Sequence, residues 1–212
     1  MLLKRNDVIL FQGDSITDWN RCVDDPLSDP MHLGKGYVYV AASMLMAQYP
    51  ELNLKFYNRG ISGNRSIDLV NRWDEDAIAL KPDVLSLLIG VNDTWRRYDQ
   101  NNPTTAEQYE KNCRNILERT KAALPDTKIV MIEPFLLHVS PEIESWREDL
   151  NPKILVARKL AMEFADVYIP MDGYFAAASV QQQPSTWSGD GVHPAGPGIA
   201  LIAQKWVEAV TK

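Results

Sequence analysis

Apolar positions along the chain fall into short runs of strand length, separated by longer segments with helical spacing. Asp7-Val8-Ile9-Leu10-Phe11-Gln12 reads as the first buried strand. Leu52 to Tyr57, Asp83 to Ile89, Lys128 to Ile132 and Asp166 to Ile169 read as four more. The spacing predicts helices over 36–49, 67–80, 104–123, 152–165 and 196–210. In the third of these, Tyr109, Cys113, Ile116, Leu117 and Thr120 share one face. In the last, Ile199, Ile202, Ala203, Trp206, Val207 and Val210 form one stripe. Ser66 stands where it caps the helix that follows. Residues 18–34 are polar and turn-rich (Asp24-Asp25-Pro26, Ser28-Asp29-Pro30, Gly34) and read as a long loop. The stretch after Asn92 reads as a second loop.

Strict alternation of strand and helix implies a parallel sheet with helices on both faces. Strands apolar throughout, rather than at every second position, fit the same arrangement. Five of them predict an α/β fold, a flavodoxin-like doubly wound five-stranded parallel sheet with right-handed crossovers. No repeat, linker or low-complexity tract divides residues 1–212, so a single domain is expected.

Composition narrows the partners. A net charge of −6, with no basic stripe to offset it, excludes nucleic acid as the main partner. No run approaches the roughly 20 apolar residues of a membrane span. Met1 to Asn6 passes straight into the first strand without a signal-like segment. A soluble, cytoplasmic protein is expected, with no membrane partner. Cys22 and Cys113 lie far apart and lack metal-ligand spacing, as free thiols of a reducing compartment do.

In a doubly wound sheet the working site lies outside the carboxyl ends of the strands. Ser15 follows the first strand in Gly13-Asp14-Ser15-Ile16, Gly60 follows the second, and Asn92 follows the third in Gly90-Val91-Asn92-Asp93. They offer a hydroxyl, a backbone N–H with unobstructed approach, and an amide donor. Acyl transfer needs such donors, because the tetrahedral intermediate carries charge on the former carbonyl oxygen. The N–H of Ser15 makes a further donor. A serine working near neutral pH needs a histidine base. The chain has three histidines, His32, His138 and His193. His193 stands in Asp190-Gly191-Val192-His193-Pro194, where Asp190 can fold back onto the imidazole and fix its tautomer. Taken singly, each block also reads as a turn, a strand-ending Asx-turn or a helix entry. Their joint occurrence, each after the expected element, favours chemistry. Asp14 and Asp93 read as turn and supporting residues rather than catalytic acids.

These four blocks resemble those of the SGNH (GDSL-type) hydrolases, and they span residues 13 to 194. The resemblance implies a three-layer α/β/α fold around a parallel five-stranded sheet. It implies Ser15 as nucleophile, His193 as base and Asp190 as its partner. Ser15, Gly60 and Asn92 would form the oxyanion hole, and no metal or organic cofactor is needed. The Gly-x-Ser-x-Gly elbow of α/β-hydrolases is absent, since residues 13–17 run Gly-Asp-Ser-Ile-Thr.

A narrower resemblance rests on Asn58-Arg59-Gly60-Ile61-Ser62-Gly63-Asn64, Arg72-Trp73 and the run from Gly90 to Asp99. These segments are similar to bacterial intracellular acetylxylan esterases, which implies acetylated xylo-oligosaccharides as substrates. Trp19, Trp95, Tyr98 and Trp187 lie near the candidate nucleophile in sequence terms and are candidate sugar-stacking residues. The same resemblance, with six tryptophans in the chain, points to a homo-oligomer. Two alternatives stay open. One is a thioesterase or lysophospholipase with the same triad, although no long apolar segment suggests a lid or acyl tunnel. The other is a non-catalytic sugar- or anion-binding protein, although neither a Walker-type loop nor Gly-x-Gly-x-x-Gly is present.

Overall fold

The computed structural model describes residues 1–22 and 30–212. Five parallel strands, β1 (Val8–Gly13), β2 (Lys55–Asn58), β3 (Val84–Leu88), β4 (Lys128–Ile132) and β5 (Val167–Ile169), form one sheet. Their order is β2-β1-β3-β4-β5. The chain steps from β1 outward to β2, then returns across β1 to β3. That reversal makes the carboxyl ends of β1 and β3 the switch point, where loops diverge and leave a crevice.

Helices cover both faces. They are α1 (Ser15–Asp18), α2 (Tyr37–Gln48), α3 (Ser66–Asp76), α4 (Val91–Asp99), α5 (Ala106–Ala123), α6 (Pro141–Ser145), α7 (Arg147–Phe164), α8 (Met171–Gln181), α9 (Pro184–Trp187) and α10 (Gly196–Thr211). Alternate strand residues point to opposite faces. Ile9, Phe11, Val84, Leu88, Val130 and Ile132 pack with α2 and α10. Leu10, Leu85, Leu87, Ile129 and Met131 pack with α3, α5 and α7. Two apolar layers explain why the strands show no polar alternation, as the sequence pattern predicts.

Two buried indoles inside these layers pair with hydroxyls. Trp206, fully buried, donates from Nε1 to Ser86 Oγ on β3 at 2.9 Å. Trp73, also fully buried, donates to Thr120 Oγ1 at 2.9 Å and joins α3 to α5. Trp146 is 4% exposed. Three of the tryptophans are therefore accounted for by the interior of one chain.

Several boundaries depart from the sequence reading. Residues 23–29 of the expected loop lie outside the described residues. The stretch 91–99 is the helix α4, not a loop. β2 starts at Lys55, because Pro50–Leu52 form a 3₁₀ turn that ends on left-handed Asn53. α7 begins at Arg147 and carries Pro152 in its second turn, so the proline does not mark its start. α8 and α9 have no counterpart among the predicted helices. Ser66 does not cap α3: Arg65 is the N-cap residue, and the Ser66 hydroxyl donates to Asp93 Oδ1 instead.

The Trp206–Ser86 pair gives a direct stability test. Ser86→Ala removes one oxygen but leaves a buried indole N–H unpaired, so it is expected to cost about 1–3 kcal/mol by denaturant unfolding. A change within about 0.5 kcal/mol, the range of ordinary surface substitutions, contradicts the importance given to this bond.

Candidate active site

β1 delivers the chain to the carboxyl edge of the sheet at Gly13. Asp14 then caps the single turn α1, accepting from the Ile16 N–H at 3.0 Å. This places Ser15, half-buried, at the first position of α1 with its hydroxyl facing the loop before α10. Ser15 Oγ lies 2.9 Å from His193 Nε2. His193 Nδ1 lies 2.7 Å from Asp190 Oδ2. Asp190 has no protonated oxygen to spare, so Nδ1 carries the ring proton and Nε2 is left as acceptor for the serine hydroxyl.

Asp190 is locked by its own turn. Its Oδ1 accepts from the Val192 N–H at 2.9 Å, the His193 N–H at 2.7 Å and Ser188 Oγ at 3.1 Å. Partial burial pushes this carboxyl up, but the bonds from His193 and Val192 outweigh it and hold Asp190 well below the usual carboxylate range. The hydrogen bond to Asp190 in turn raises His193 above its ordinary 6.5, against the opposing effect of burial.

Donors converge from the neighbouring strand ends. Gly90 adopts φ +134° at the turn from β3 into α4, a conformation that glycine tolerates. Asn92 follows in the first turn of α4 and is 2% exposed. Its Nδ2 donates to the Asn64 carbonyl at 3.1 Å, and its second N–H has no acceptor among the described residues. No acceptor engages the Ser15 N–H among the described residues. Gly60 differs from the expectation in one respect: its N–H already donates to Asn58 Oδ1 at 3.0 Å. An oxyanion bound there would share that donor with Asn58. Gly60 is also required for close packing, since a Cβ there would stand 2.4 Å from the Asp18 nitrogen.

The aromatic candidates divide. Trp19 and Trp95 flank the imidazole, with ring centroids 6.1 Å and 5.7 Å from that of His193. Tyr98 stacks on Trp146 at 5.1 Å, and the Trp187 indole donates to the Gln182 carbonyl. Neither of these two has a ring contact with His193. His138 sits beside Glu144, 3.4 Å away, and His32 lies in the 3₁₀ turn Pro30–Leu33. Cys22 is exposed and Cys113 buried, both as free thiols. Among the described residues no group of three or more His, Cys, Asp and Glu side chains is arranged to hold a metal, and no helix is long and apolar enough to cross a membrane.

One supporting residue, Asn58, escaped the sequence reading. Asn58 donates to the carbonyls of Thr17 and Leu33, at 2.6 and 2.8 Å, besides accepting from Gly60. It ties the end of β2 to α1. Asp93 accepts from both the N–H and hydroxyl of Ser66, joining α4 to α3. Burial pushes Asp93 up to about 6 and Asp14 up to about 7. Both serve as the supporting residues expected of them. An asparagine two residues before Gly60 was the available signal for Asn58, since that spacing favours an Asx-turn.

A hydroxyl held on an imidazole, with the imidazole held on a carboxylate and amide donors alongside, is the arrangement acyl transfer requires. The GDSL-like Lipase/Acylhydrolase family matches residues 11–201, and the chain belongs to it. The protein is a carboxylic ester hydrolase of SGNH type. It is 32% identical over 214 residues to an acetylxylan esterase of Geobacillus stearothermophilus, a match covering 99% of this chain and 96% of that protein. The solved structure of Axe2, an acetylxylan esterase from the same organism, aligns with a TM-score of 0.92 at 31% identity, covering 100% of this chain and 97% of that one. A structure described as a GDSL-like lipase from Parabacteroides merdae aligns with a TM-score of 0.94 at 42% identity, covering 99% and 97%.

The Asp190 contact makes a prediction about His193 that does not depend on turnover. NMR titration of the imidazole is expected to give a midpoint above 6.5, because Asp190 favours the charged ring. Asp190→Asn removes the charge partner and is expected to move the midpoint down. A midpoint unchanged by that substitution contradicts the coupling.

Proposed function

We propose that this chain is a serine esterase that removes a small acyl group, acetyl above all, from carbohydrate hydroxyls such as those of xylo-oligosaccharides. The carrying observation is the continuous relay Ser15 Oγ, His193 Nε2, His193 Nδ1 and Asp190 Oδ2, with contacts of 2.9 and 2.7 Å. Ser15 attacks the ester carbonyl while His193 Nε2 takes the hydroxyl proton. Asp190 stabilises the imidazolium that forms. The oxyanion rests against the Ser15 N–H and the unused N–H of Asn92, with the Gly60 N–H shared between it and Asn58. His193 then returns the proton to the leaving alcohol. Water, activated by the same imidazole, attacks the acyl-enzyme and releases the acid.

Several observations support the substrate side. The Geobacillus relative is named an acetylxylan esterase, and Axe2 is also described as an acetyl-xylooligosaccharide esterase. Axe2 structures described as catalytic mutants replace a serine, an aspartate and a histidine by alanine. The two indoles flanking His193 offer flat apolar walls, of the kind that stack on the face of a sugar ring. Trp19 and Trp95 carry that role in this reading, with Tyr98 backing Trp95 through Trp146. The same reading makes it a cytoplasmic enzyme of oligosaccharide esters.

The test compares kcat/KM on acetylated xylo-oligosaccharides, acyl-CoA and lysophospholipids, with NMR to locate the freed sugar hydroxyl. The acetylated sugar is expected to lead. A tenfold or greater preference for acyl-CoA or lysolipid, a margin of about 1.4 kcal/mol in transition-state binding, overturns the substrate assignment. Ser15→Ala is expected to lower kcat by about 10⁴ to 10⁶. Asn92→Ala is expected to cost about 10² to 10³, as for one oxyanion donor. Activity is expected to fall with decreasing pH through a midpoint above 6.5, since His193 must be neutral to act as base and Asp190 raises it. A rate that stays level from pH 8 to pH 5 contradicts that role.

A further inference from the structure

We propose that Arg96 is a positioning residue of the oxyanion hole, holding the Asn92 amide from one helical turn away. The proposal rests on the role given above to Asn92. A carboxamide can sit in its site in two orientations related by a half-turn, and only one presents an N–H to the oxyanion. Two contacts select it here. Asn92 Nδ2 donates to the Asn64 carbonyl at 3.1 Å, and Asn92 Oδ1 accepts from Arg96 Nη2 at 3.2 Å. A flipped amide would set its oxygen against the Asn64 carbonyl and its NH₂ against a guanidinium. Each of those juxtapositions is repulsive.

The source of the second contact is helix geometry. Residues 92 and 96 are spaced i, i+4 on α4 and share a face. The guanidinium is itself held in place. Arg96 Nη1 is paired with Asp99, and Cζ lies 5.4 Å from the centroid of the Trp95 ring. Its neighbours have other partners: Arg97 reaches Glu148 and Asp149 on α7, and Tyr98 stacks on Trp146. Arg96 alone in this group turns back toward Asn92. Its Nε–H is buried and has no acceptor among the described residues. An unpaired buried donor opposes stability, so the pose is not the one that best satisfies Arg96 itself.

A cation on the amide oxygen also changes the donor. Drawing electron density toward Oδ1 leaves the Nδ2 hydrogens more positive, and linked hydrogen bonds strengthen one another where water is excluded. Asn92 is 2% exposed, so the effect is little screened. The bond matters most when charge develops on the substrate oxygen. Its loss is therefore expected in kcat rather than in KM.

The test is a double-mutant cycle on hydrolysis of p-nitrophenyl acetate. Arg96→Ala is expected to lower kcat about tenfold with KM changed less than about twofold. In an Asn92→Ala background the same substitution is expected to have no further effect, within about twofold, because the group it positions is gone. Arg96→Lys keeps a donor but not the planar fork that reaches Asp99 and Asn92 together, and is expected to give a kcat between those of the parent and Arg96→Ala. Arg96→Met keeps the apolar stem against Trp95 and is expected to match the alanine variant; it carries the cycle if Arg96→Ala fails to fold. An unchanged kcat in Arg96→Met, or losses that multiply with that of Asn92→Ala, overturns the proposal. An Asn92→Ala variant with full activity instead removes the reading of Asn92 on which it rests.

Discussion

The structure of the site depends on a carboxylate that satisfies itself within its own turn. Asp190 accepts from Ser188, Val192 and His193 backbone or hydroxyl donors on one oxygen and from the His193 ring on the other. The turn therefore orients the imidazole before any other element contributes. Once the ring proton is pinned on Nδ1, Nε2 can only accept, and the Ser15 hydroxyl lies within its reach. A half-exposed ion pair of this kind adds little to stability in water. Its worth is in the fixed tautomer and the raised imidazole, which are properties of function.

The sheet supplies what the turn cannot. Ser15, Gly60 and Asn92 come from three segments far apart in sequence, and only the order β2-β1-β3 makes their strand ends adjacent. Parallel register keeps those ends level. Cross-links then hold the loops to the sheet edge: Asn58 joins β2 to α1, Asp93 joins α4 to α3, and Arg72 reaches the carbonyls of Arg59 and Gly13. The close approach at Gly60 lets the β2 loop press against α1. In the proposed mechanism the oxyanion donors are placed by contacts made in the resting protein, so little reorganisation is left for the reaction step.

Much of this was legible in the sequence, for a physical reason. Strands buried on both faces must be apolar throughout, so their number and approximate ends could be read directly. Residues at strand ends then followed from topology. The helices that escaped lack that signal. α4 is nine residues long and mostly polar, too short for its Val91, Trp95 and Tyr98 spacing to stand out, and α8 buries little beyond Met171 and Phe175, so it shows no stripe. Pro152 hid the first turn of α7. The bonds from Asn58 to Thr17 and Leu33 and from Ser66 to Asp93 join elements 25 to 41 residues apart, which leaves no local spacing to find. Arg96 and Asn92 are four apart, yet that spacing means a contact only once residues 91–99 are known to be helical. Tyr98 and Trp187 show the converse: proximity in sequence to Asn92 and Asp190 made them candidates, and the fold gives them other partners.

The central claim is that Ser15 is activated by His193. The most direct measurement is reaction with an aryl alkylphosphonate, followed by mass spectrometry of the peptide that carries the adduct. One phosphonyl group per chain on Ser15 is expected, at a rate that collapses in His193→Ala. Labelling that spares Ser15, or proceeds equally fast without His193, would contradict the account.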